Sequence, residues 1–486
     1  FAAANQILAV GAFISFTAIA TSFYGYKKQM LLFFRLGCVS LLPGFLLAIK
    51  AILLMDGDDS LFINHEFIAV LILAISTLVI SLYGHLYKAA EKIQVDSNFL
   101  LLILLYGIGM ILIITLGDLH NKLHFGDWTV ASTVFCCLFF SFWGYISGKI
   151  NWNWLRIFYL FIIPAAIFFM FCNITNDINL HENLGFVVFP LAISLGYYLL
   201  HNCDAKPQFN SQWLHFCYAV IFTAMVCWQF ENLLQWIFEV QSNLLINSIW
   251  GIIPTMVLAA TILHRNSPKW PVNNHKQIYT LYIPVAAMFW MLLWMLIINL
   301  SKPAVTSFGE YLPVINAYDI TQIFMVVTTW AAYKTLFANT NQVNKEYVYT
   351  TLFVTVFALI NFSLLRTLFY WFDIGYTPKA ILDSVLAQTC ISILWGICGM
   401  GIMILSSKKM WRPVWIAGAV IIGGLVIKLF VIDTSGIGTI ERIVAFITVG
   451  IVLLITGYFA PVPPSDLDSN EQLSNQSSKQ SGLAGE

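Results

Sequence analysis

Apolar residues run along this chain in long, nearly continuous stretches, broken at short intervals by small groups of Lys, Asp, Asn, Gly and Pro. A bilayer core about 30 Å thick is crossed by about 20 helical residues, whereas a barrel strand needs only about 9–11 alternating ones. The stretches are too long and too continuous for strands, so the pattern predicts helices. Fifteen spans follow, at 4–24, 30–54, 66–88, 98–118, 128–148, 154–173, 185–201, 213–238, 243–264, 278–300, 318–338, 347–371, 384–407, 413–433 and 438–459. The expected fold is an all-α polytopic transmembrane helix bundle.

Composition removes the alternatives. Of 486 residues 59% are hydrophobic and 10% are charged, with a mean hydropathy of +0.80. A soluble domain carries about 25% charged residues to wet its surface, so a water-soluble enzyme, a disordered chain and a disulfide-stapled secreted domain are all excluded. Lys plus Arg and Asp plus Glu each total 24, which leaves no basic excess for nucleic acid. The nine cysteines form no C-x-x-C pair and have no metal-ligand spacing with His, and most sit in apolar runs as small hydrophobes. No motif implies a cofactor: there is no P-loop, no G-x-S-x-G and no H-E-x-x-H. The chain opens on Phe1 with no basic segment ahead of its first apolar run, and the expectation is a processed form or part of a longer polypeptide.

Positive charge orients the spans. Odd-numbered loops hold fifteen Lys and Arg residues, among them Lys27, Lys28, Lys149, Lys206, Arg265, Lys269, Lys276, Lys408 and Arg412, against three (Lys122, Lys302 and Lys379) in even-numbered ones. Odd loops therefore face the cytoplasm, the first residue lies outside and the C-terminus lies inside. The tail 461–486 is rich in Pro, Ser, Asn and Gln and is expected to be disordered.

Ionisable residues within spans cost a few kcal/mol each and need an account. With this orientation Arg35 and His85 fall toward the cytoplasm. Lys50, Asp118, Glu231, Asp319, Arg366, Lys428, Asp433, Glu441 and Arg442 fall toward the outer side and form a candidate polar cavity. Helix-end charges can also snorkel to the headgroups. Glu231, Arg366 and Lys428 resist that reading, because apolar or aromatic residues flank each on both sides, and either a function or helix-to-helix pairing accounts for them. The short TSGIG connection predicts a hairpin in which Asp433 and Arg442 meet, with Lys428 one turn deeper. The segment DLHNKLHFGDW (118–128) holds two His and two Asp but reads as a solvated loop rather than a metal site. EYLPVINAYD (310–319) reads as a partly inserted outer segment lining a polar cavity.

The segments YLPVINAYD and LLRTLFYW, and the run from QTCISILWG to YFAPVPP, resemble the end of a family of very large bacterial polytopic membrane proteins. That family is known only as a domain of unknown function. Its closing K-L-F-x-x-D, Arg and G-Y pattern falls on Lys428, Leu429, Phe430, Asp433, Arg442, Gly457 and Tyr458. The resemblance covers about 310–465 and divides the chain into N-terminal helices 1–309 without a recognised motif, a family-like region 310–460, and the tail from 461. It implies a multi-pass protein of the bacterial inner membrane and carries no activity. It also implies further spans or subunits of a longer parent protein as partners, beside membrane lipids.

Three readings remain. One is transport or translocation of an amphipathic or anionic envelope component through an outward-facing polar cavity. A second is a membrane-embedded enzyme acting on a lipid-linked glycan, with an acidic residue as base. The third is a scaffold of an envelope complex.

Overall fold

The computed structural model describes residues 2–54, 60–87, 89–176, 178, 183–204, 212–239, 243–306, 310–337 and 345–433, and singly 447, 450, 451, 454, 457, 458 and 461. Among these residues there is no strand, so the fold is an all-α polytopic bundle. Within hydrocarbon every backbone N–H and C=O must be paired inside its own segment, which an apolar helix does and a single strand does not. Among the described residues thirteen helical segments, Leu31–Leu54 counted as one, are long and apolar enough to cross a membrane.

The chain forms two compact units, Phe1–Leu233 with Pro268–Ile278, and Leu234–Ser267 with Tyr279–Glu486. The first holds α1 (Ala2–Lys28), α2 (Leu31–Val39), α3 (Pro43–Leu54), α4 (His65–Leu86), α5 (Ala89–Lys92), α6 (Ser97–Lys122), α7 (Phe125–Lys149), α8 (Ile162–Thr175), α9 (Gly185–Asp204) and most of α10 (Gln212–Phe238). The second holds α11 (Leu244–His264), α12 (Ile283–Leu300), α13 (Ala317–Ala332), α14 (Lys345–Phe372), α15 (Pro378–Asp383), α16 (Val385–Lys408) and α17 (Arg412–Lys428).

The expected span 30–54 is broken into α2 and α3 by a turn just before Pro43, whose missing N–H cannot continue a helix. The span expected at 318–338 is α13 continued by a π-helical turn, Tyr333–Phe337. The span expected at 438–459 lies almost entirely outside the described residues.

Helix starts are fixed by capping side chains. Asn64, Asn243, Asn316, Thr377 and Ser384 each accept a hydrogen bond from the backbone N–H three residues on, and Asp96 accepts from Asn98. Apolar side chains gain nothing from water exclusion between helices in lipid, so packing and polar contacts decide which faces meet. In the first unit Phe34, Leu73, Ile80, Leu100, Leu104 and Ile114 are fully buried, while Phe13, Phe16 and Leu53 point outward as lipid-facing residues do. The Tyr26 hydroxyl donates to the Ile80 carbonyl at 3.1 Å, and Tyr106 donates to the Leu41 carbonyl at 3.0 Å. In the second unit α16 and α17 approach through glycine. A Cβ on Gly418 would lie 2.7 Å from Met403 and 3.0 Å from the Gly399 carbonyl oxygen. By contrast α14 is lightly packed: among its described residues only Arg366 and Leu368 are buried.

Candidate functional site

The richest polar cluster forms in the second unit, where α12 ends, α13 begins and the last turns of α14 pass. Asn316 caps α13, so Asp319 occupies the third helical position. There its N–H donates to Asn316 Oδ1 at 3.0 Å, while Asn316 Nδ2 donates back to Asp319 Oδ2 at 2.6 Å. This exchange is a side-chain variant of the capping box, and a carboxylate in a helix's first turn is also favoured by the helix dipole. Asp319 Oδ2 accepts two further hydrogen bonds, from the Val314 N–H at 3.1 Å and from Ser363 Oγ at 2.8 Å. Val314 has φ of 67°, a left-handed conformation unfavourable for a β-branched residue. That strain is held in place by the hydrogen bond its N–H makes to the carboxylate.

Arg366 completes the cluster. Its side chain is fully buried, Nη2 binds Asp319 Oδ1, Nη1 binds Asn299 Oδ1, and the guanidinium lies 6.0 Å from the Tyr318 ring centre. Asn299 donates onward to Gln322 Oε1 at 3.3 Å and to the Met295 carbonyl at 2.7 Å. Tyr376 donates to the Asn299 carbonyl at 2.8 Å, and Asn247 donates to the Tyr318 hydroxyl at 3.0 Å. Two buried polar atoms here, Arg366 Nε and Gln322 Nε2, have no hydrogen-bond partner, while the Tyr311 hydroxyl lies against Arg366 and Thr367. Burial pushes the Tyr376 phenol up to about 12, and burial together with the nearby Asp319 carboxylate raises Tyr311. Both phenols therefore stay protonated and available as donors. The Asp319–Arg366 pair cancels its own charge, so the cluster is polar without a net field.

Beside this cluster lies a cavity of about 590 Å³ between α13 and α14. Its wall is almost wholly apolar, built from residues such as Ile323, Val327, Val356 and Leu359, and its polar side chains are Asp319, Gln322, Ser363 and Thr367. From Asp319 to Val327 is eight residues, about 12 Å of helix rise, or somewhat under half of a hydrocarbon core about 30 Å thick.

Of the seven sequence candidates among the described residues, Asp319 and Arg366 pair with each other. Asp118 is fully buried in the first unit, where it accepts from the Phe62 N–H at 2.9 Å and from Asn64 Nδ2 at 2.8 Å, and pairs with Lys122 at 2.9 Å. It therefore clamps the turn that caps α4. Lys50 is exposed on α3, and Glu231 is half-buried on α10. Lys428 is buried, and its Nζ donates to Ser392 Oγ at 2.7 Å and to the Gln388 carbonyl at 3.1 Å, tying α17 to α16. Asp433 ends the π-helical turn Leu429–Asp433, and Glu441 and Arg442 lie outside the described residues, as does the expected meeting of Asp433 with Arg442. Sequence reasoning missed Asn299, Gln322 and Ser363. Their signal was an uncharged polar residue inside an apolar span, a weaker mark than a charge.

A bundle of apolar helices with buried ion pairs at helix ends defines a multi-pass membrane protein. The chain belongs to the DUF2339 family of predicted membrane proteins, whose model matches residues 4–463. The match takes in the N-terminal helices, where the sequence alone offered no motif. No curated protein and no solved structure matches the chain.

Proposed function

We propose that this protein of the bacterial inner membrane binds an amphipathic envelope component in the α13–α14 cavity and translocates it. The observation that carries this reading is the cavity's division into an apolar wall and a polar rim of Asp319, Gln322, Ser363 and Thr367. Its volume lies within the range of about 300–1,000 Å³ common to small-molecule sites. An acyl or prenyl chain fits against Ile323, Val327 and Leu359, and hydroxyl or amide groups on the same molecule meet Ser363, Thr367 and the free Gln322 Nε2 donor. Arg366 is already neutralised by Asp319, which favours an uncharged polar headgroup over an anionic one.

The test is lipid retention. Native mass spectrometry of the protein in mild detergent should find a bound lipid. Leu359→Trp or Val327→Trp, which fill the cavity, should lower its occupancy at least tenfold in protein that remains monodisperse. Equal occupancy in wild type and both variants would refute the assignment.

A further inference from the structure

Away from this cluster, in the first unit, three side chains from distant parts of the sequence converge on one point. Asp204 ends α9, His215 lies in the first turn of α10, and His275 belongs to the segment Pro268–Ile278. We propose that Asp204, His215 and His275 hold a divalent transition-metal cation of the zinc class.

Geometry supports it first. The Nε2 atoms of His215 and His275 lie 2.9 and 3.1 Å from Asp204 Oδ2, and the three ligand atoms all fall within 4.8 Å of one another. Zinc bonds to imidazole and carboxylate of about 2.0–2.2 Å place ligand atoms roughly 3.0–3.5 Å apart, so the two His–Asp separations are already within a few tenths of an ångström of those in a zinc site. Proton bookkeeping supports it next. Trp270 Nε1 also donates to Asp204 Oδ2, at 2.7 Å. Three nitrogens thus crowd one carboxylate oxygen, and the two imidazole Nε2 atoms serve as donors or as ligands according to their tautomer. A cation between the imidazoles and the carboxylate removes that crowding: both Nε2 atoms become ligands, and Trp270 remains as the donor that orients the carboxylate.

Burial is graded in a way that suits a site with an entry path. The His215 side chain is 0% exposed, Asp204 3% and His275 10%. Trp270 is wedged between Tyr197 and His201 at ring distances of 5.1 and 5.0 Å, which fixes the indole that fixes the carboxylate. Two imidazoles and a carboxylate without thiolate select zinc, iron, cobalt or manganese over copper(I) or calcium. Three protein ligands leave at least one coordination position open for water. By the charge pattern both contributing loops face the cytoplasm.

The full chain, purified in detergent and stripped by a chelator, is titrated with Co²⁺ and with Zn²⁺. The expected result is visible d–d absorption on adding Co²⁺, displaced by Zn²⁺, and about one zinc per chain by elemental analysis. His215→Ala and His275→Ala should abolish both signals, and Trp270→Phe should weaken binding roughly 10- to 100-fold while keeping the ligands. Two results overturn the proposal: a monodisperse wild type that gives no Co²⁺ spectrum, which leaves a hydrogen-bonded cluster alone, or binding that survives both histidine substitutions. If the histidine variants misfold, the wild-type spectrum and the Trp270→Phe shift decide the question.

Discussion

Removing either partner of the Asp319–Arg366 pair is costly, and the structure says which removal costs more. Both side chains are buried, Arg366 completely. Without Arg366, the Asp319 carboxylate still accepts from the Val314 N–H, Asn316 and Ser363, at the N-terminus of α13. Without Asp319, the guanidinium keeps Asn299 and the Tyr311 hydroxyl, both uncharged, and its Nε has no acceptor. Breaking a buried pair by removing one partner costs about 3–5 kcal/mol. Arg366→Ala should therefore fall near the lower end, about 3 kcal/mol, and Asp319→Ala near the upper end, about 5 kcal/mol. The double variant should cost clearly less than the sum, with a coupling of about 2–3 kcal/mol. Equilibrium unfolding in mixed micelles, followed by Trp fluorescence, measures all four proteins of the cycle. Single variants within about 0.5 kcal/mol of wild type, or strict additivity in the double, would refute the buried-pair reasoning.

Other outcomes follow from the same structure. Asp118→Ala removes a charged acceptor of two hydrogen bonds and the partner of Lys122, costing about 1.5–3 kcal/mol per hydrogen bond at most. Hydrogen exchange should rise at residues 60–67 while lipid retention stays unchanged. Gly418→Leu drives a side chain into Met403 and the Gly399 carbonyl, an overpacking worth about 1–3 kcal/mol, read as a lower unfolding midpoint. The raised Tyr376 pKa makes a pH prediction. The folded state holds the phenol neutral, so its stabilisation is complete below about pH 10 and is lost as pH rises through about 12. Tyr376→Phe should flatten that part of the stability profile.

The helices were legible because hydrocarbon leaves no other solution for an apolar backbone, and a capping side chain marks six of their starts. Among the described residues, the thirteen helical segments long and apolar enough to cross a membrane fall where the hydropathy pattern put them. Arg366 stood out because a charge inside an apolar run announces itself, and Asp319 entered as a charge toward the outer end of a span. Their pairing did not stand out, since 47 residues separate them and no periodicity links helices to one another. Asn299 and Gln322 were silent because an amide in an apolar span has many uses. The Asp204–His215–His275 group was invisible for the same reason as the pairing: its members are 11 and 71 residues from Asp204, with no closely spaced ligand pair to announce a site.

One consequence comes from α14. Arg366 and Leu368 near its C-terminal end are its only buried described residues, and its earlier turns meet their neighbours through rings and one amide: Tyr349 against Trp330 and Tyr333, Phe357 against Trp395, and Asn361 accepting from the Trp395 indole. The helix is thus pinned by charge at its polar end and by aromatic contacts along its length. Such contacts let the apolar wall of the cavity re-pack side chain by side chain while Ser363 and Thr367 keep their places.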